Sequence, residues 1–153
     1  MRIALVALLF TLVLTASGVT GARAEGKADV EKELKKFQGT WTFESVETGG
    51  KKEPAAQFKS MTVTSKRNKF TVKNGDQVIQ VATQKLDPSK SPKTLDSTVT
   101  EGPNKGTVIL GIYEISGDTL KGCFDPEGKK RPTEFMTASG SQTTLVVHKR
   151  VKK

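Results

Sequence analysis

The chain has 153 residues, 25 Lys and Arg against 16 Asp and Glu for a net charge of +9, one cysteine and one histidine. That length builds one domain with a real core; a lone cysteine excludes an internal disulfide, and with a lone histidine it is too few for a zinc site of the usual kind. The positive charge is spread over Lys35-Lys36, Lys51-Lys52, Lys66-Arg67, Lys129-Lys130-Arg131 and Lys149 to Lys153 instead of forming one stripe with interleaved aromatic residues, so nucleic acid is not an expected partner.

The first residues carry a charge at Arg2, an apolar run from Ile3 to Leu14, and small residues ending in Ala22-Arg23-Ala24. This is the layout of a cleaved secretory signal, so residues 1–24 are expected to be a leader and residues 25–153 the mature domain, exported to the periplasm or the cell exterior. The apolar run of about a dozen residues is shorter than the roughly 20 a spanning helix needs, and no transmembrane segment is expected in the mature chain. No cysteine follows the run, which speaks against a lipid anchor.

Val30 and Leu34, four apart among charges, predict a short amphipathic helix over Lys27 to Lys36. From Thr40 onward the period is two, with turn residues every eight to twelve positions, the mark of an antiparallel meander. Strands are predicted over Thr40 to Glu47, Met61 to Thr64, Lys69 to Lys73 and Gln77 to Gln84, the last two joined at Asn74-Gly75, a strong hairpin signal. Leu86 to Asp96, with Pro88 and Pro92, reads as a loop crossing to a new strand. Further strands follow over Leu95 to Thr100, Thr107 to Ile115 and Thr119 to Phe124. A loop, Asp125 to Pro132, precedes a short strand over Thr133 to Thr137 and a final one over Thr143 to Val151. About eight strands suit a single small closed all-β barrel whose interior holds side chains or one small ligand. Cys123 falls on the strand face opposite Leu120 and Phe124, either as a small buried hydrophobe or as a reactive thiol.

Few parts for catalysis are present. His148 lies in an alternating strand, where an outward or barrel-end side chain is expected. There is no G-x-S-x-G elbow, P-loop or G-x-G-x-x-G. Glu44, Asp96, Glu114, Asp118 and Glu134 have no spacing that favours paired-carboxylate hydrolysis. A non-enzymatic protein without metal or cofactor is expected. Arg131 and Glu134 in Arg131-Pro132-Thr133-Glu134-Phe135 read as an ion pair pinning a loop, with Phe135 in the core; Asp96 and Asp118 read as turn caps.

Gly39-x-Trp41, Leu86-Asp87-Pro88 with Pro92-Lys93-x-Leu95-Asp96, Gly111-Ile112-Tyr113-Glu114, Gly117-Asp118-Thr119-Leu120-Lys121 with Cys123, Arg131 to Phe135, and a closing Lys149-Arg150 stand in this order. Together they resemble the lipocalin-like domains of unassigned function abundant in planctomycete bacteria. The resemblance spans nearly all the mature chain and implies a secreted or envelope-associated β-barrel. It also implies that Gly39 and Trp41 close one barrel end, with Arg150 of the last strand laid over the indole.

Two functions are expected from the barrel. One is a binding protein for a small hydrophobic or amphipathic ligand, with Phe43, Phe70, Val72, Val81, Leu110, Ile112 and Leu120 as candidate contacts. The other is a solid-cored module that holds an envelope protein or an anionic surface component through its loops or basic exterior.

Overall fold

The computed structural model describes residues 20–152. The expected leader falls mostly outside them. A helix, α1 (Thr20–Phe37), precedes β1 (Gly39–Thr48), β2 (Lys51–Lys52), β3 (Met61–Lys66), β4 (Lys69–Asn74), β5 (Gln77–Asp87), β6 (Lys93–Glu101), β7 (Val108–Ser116), β8 (Thr119–Asp125) and β9 (Thr144–Arg150). Strands pair with their chain neighbours, antiparallel throughout, and β9 returns to β1. The outcome is the expected closed barrel of eight strands, with β2 a two-residue arm on β1. Closure removes the free edges at which an open sheet pairs with other chains.

One end of the barrel is plugged by its own helix. The stripe Val30, Glu33, Leu34 and Phe37 turns α1 toward the barrel, and Phe37 is buried with Trp41, Val63, Leu86, Leu95, Tyr113 and Leu120. The Phe37 ring meets Tyr113 and Phe70 edge-on, at centroid distances of 5.0 and 5.6 Å. Each such side chain taken from water contributes about 1.5–3 kcal/mol. Gln38 then fastens the helix end to the β3–β4 turn: its amide donates to Leu34 O and Arg67 O, and its oxygen accepts from Arg67 N.

Two segments differ from expectation. The loop predicted over Leu86 to Asp96 is shorter, because β5 continues to Asp87 and β6 begins at Lys93, pairing Leu86 with Leu95. No strand forms over Thr133 to Thr137. β8 pairs directly with β9, from Thr119 with Lys149 to Phe124 with Thr144, which leaves no ladder for an intervening strand. Residues 126–143 instead cross the outside of the barrel and are held by side chains. The Asp125 carboxylate accepts from the backbone N–H groups of Glu127, Lys129 and Lys130. Thr137 donates to Glu47 at 2.5 Å and accepts from Gly50 N at 2.8 Å.

Candidate functional site

The interior positions above the helix plug do not fill the barrel. A cavity of about 320 Å³ lies there, with Phe37, Leu95 and Leu120 toward the plug, and Val72, Ile109, Phe124 and Thr144 toward the opposite mouth. Phe124 shapes its wall through two neighbours that lack side chains: Gly122 precedes it by two on β8, and Gly111 is its partner on β7. A Cβ at either glycine would clash with the Phe124 ring, so the ring lies across both backbones where only glycine permits it.

Most of the wall is apolar, and its polar groups sit on opposite sides. Gln84 and Ser97, register partners on β5 and β6, are on one side. On the other is His148 of β9, only 8% exposed. Its ring is edge-on to its partner Phe43 at 4.5 Å. Burial pushes the His148 pKa down to about 4, against a hydrogen bond to the Thr42 backbone that favours the charged form. The ring is therefore neutral near pH 7. His148 Nδ1 and Gln84 Oε1 are buried without a hydrogen-bond partner.

Of the candidate contacts, Phe43, Phe70, Val72 and Leu120 line this cavity, whereas Val81, Leu110 and Ile112 do not. On β5 the interior residues are Gln80, Ala82 and Gln84, and on β7 the cavity receives Ile109. Val108 to Ile115 is apolar on both faces, so its period of two carries no sign of which face is inside. Ile112, 1% exposed, is an outward residue beside the Arg131-Pro132 crossing. A bulge between Val81 and Ala82 shifts the register at the other misplaced position. His148, expected outward or at the barrel end, is interior. Val146, two residues before it, also lines the cavity, and the same period of two carries His148 inside.

At the plugged end, Arg150 stands over Trp41 with its guanidinium carbon 4.1 Å from the ring centroid. Its Nη1 donates to Gln38 O and its Nη2 to Lys36 O, while Nε lies 3.2 Å from Asp118. Trp41 Nε1 donates to Phe37 O at 2.8 Å. Gly39 has φ +116°, and a Cβ there would lie 3.3 Å from Arg150 Nη1. Nearby, Glu33 is buried against Lys36 at 2.5 Å, Lys93 at 2.9 Å and the Tyr113 hydroxyl at 3.2 Å. Burial raises the Glu33 pKa, but the two lysines outweigh it and hold the carboxyl below its ordinary value.

The remaining chemistry lies outside the barrel. Arg131 pairs with Asp96 at 2.5 Å and donates to Leu95 O and Gly111 O; Glu134, its expected partner, is exposed. Phe135 is not in the core but lies under the Lys121 ammonium, 5.3 Å from it. Cys123 is fully buried on the outward face of β8, 3.6 Å from Met136 O, and burial pushes its thiol pKa up. Glu44, Glu114 and Asp118 lie beside different cations, Lys149, Lys121 and Arg150. Among the described residues no three His, Cys, Asp or Glu side chains gather as a metal site, and no helix is long and apolar enough to cross a membrane. The chain matches no protein-family model, no curated protein and no solved structure.

Proposed function

We propose that the protein is an exported, lipocalin-like carrier that holds one small hydrophobic or amphipathic molecule inside its barrel and performs no catalysis. The observation that carries this reading is the interior cavity of about 320 Å³, walled by aromatic and aliphatic side chains with a few polar groups. Its size falls at the lower end of the ~300–1,000 Å³ of small-molecule pockets. At roughly 30 Å³ for each water-sized group, it takes a molecule of about ten non-hydrogen atoms.

The test is thermal unfolding of the protein and of Ala82→Phe in the presence of apolar compounds of that size. Ala82 is on the cavity wall, and a ring there occupies the ligand's space. A ligand at a hundred times its Kd stabilises by about 2.7 kcal/mol. Stabilisation of the native chain that is lost in Ala82→Phe is expected; compounds that stabilise neither or both would overturn the carrier reading and favour the envelope-interaction module.

A further inference from the structure

We propose that the cavity selects a neutral, hydroxyl-bearing apolar molecule whose O–H donates to His148 Nδ1 while its hydrocarbon part packs among Phe43, Leu120 and Phe124. This deepens the carrier reading and rests on it.

The choice follows from hydrogen-bond inventory. Nδ1 is buried with no partner, and the ring is neutral near pH 7, so only one of its two nitrogens carries a proton. In the tautomer with its proton on Nε2, which the proposal assigns, the ring presents Nδ1 as a bare acceptor. His148 is the only titratable side chain on the wall, so no cation stands inside to hold an anion. A carboxylate would lose its hydration and meet an acceptor's lone pair. A molecule without a donor would leave Nδ1 unsatisfied, and only a donor repairs it. Gln84 Oε1, also unpartnered, offers a second acceptor. β5 and β9 are four strands apart in either direction around the closed sheet, so the two acceptors lie on opposite walls of the cavity.

Three probes of equal chain length separate the possibilities: 1-decanol, its methyl ether and decanoate, titrated calorimetrically into the full protein near pH 7.5. The alcohol is expected to bind at least about ten-fold tighter than either of the others. Because His148 is the only histidine, its two ring nitrogens can be followed without ambiguity by ¹⁵N NMR. The Nδ1 resonance should move with the alcohol and not with the ether. Ether or decanoate binding as tightly as the alcohol, or alcohol binding with Nδ1 unmoved, overturns the donor requirement and leaves the carrier reading standing. If none of the three binds, both fall together. Neither measurement needs a variant that has to fold.

Discussion

Arg150 and Trp41 are register partners on β9 and β1, and the guanidinium of one covers the indole of the other at 4.1 Å. The pair therefore closes the barrel at the seam where the last strand meets the first. The same guanidinium donates to the carbonyls of Lys36 and Gln38 at the end of α1, so one side chain joins seam, plug and helix terminus.

Arg150→Ala should lower stability by about 2–4 kcal/mol, combining the cation–π contact with the lost charged hydrogen bonds. The half-exposed Asp118 partner contributes little of this. Arg150→Lys should recover less than half, since an ammonium cannot make the planar fork. Urea denaturation of the three proteins decides it, and full recovery by lysine would show that charge alone matters.

Gly122→Ala should cost about 1–3 kcal/mol, because a methyl there drives into the Phe124 ring. In a Phe124→Ala background the same change should cost far less. A double-mutant cycle measures this coupling, and additive effects would contradict the packing described.

Between pH 6.5 and 4 stability should fall as acid is added. His148 has a folded pKa of about 4 against an ordinary 6.5, so in that window the unfolded chain binds the extra proton. The contribution is complete above about 6.5 and gone below about 4, and amounts to about 3 kcal/mol. Glu33 and Asp125, both held below their ordinary values of 4.5 and 3.8, contribute stability above those values and lose it only at lower pH. His148→Gln should flatten the upper window and leave the lower acid transition in place, as read from denaturation midpoints across pH.

Cys123 should resist a thiol reagent in the native protein and react once urea unfolds it, since it is fully buried with a raised pKa. Fast native labelling would show that the crossing segment 126–143 opens readily.

Strand order was legible because Asn74-Gly75 and Ser116-Gly117-Asp118 mark their turns locally, and Trp41 marks the start of the first strand, whereas the plugging of the barrel by α1 was not. Nor was the face of β7. Leu110 and Ile112 are as apolar as Ile109 and Tyr113, and Ile112 is covered by the Arg131-Pro132 crossing, so alternation could not separate inside from outside. Thr133 to Thr137 looked like a strand for a related reason: its local pattern permits one, but direct pairing of β8 with β9 leaves it no partner. The four candidate contacts that line the cavity, Phe43, Phe70, Val72 and Leu120, lie on strands whose outward face is polar, as Phe70 and Val72 are flanked by Lys69, Thr71 and Lys73. The polar part, His148 with Gln84, depends on which groups the closed barrel leaves unpaired, which becomes visible only in three dimensions.

The central claim is that the barrel carries a molecule, and native mass spectrometry on protein purified from the cells that make it tests this most directly. One stoichiometric added mass of about ten non-hydrogen atoms, lost on unfolding, is predicted. A mass that matches the bare polypeptide, unchanged after incubation with 1-decanol, would contradict it.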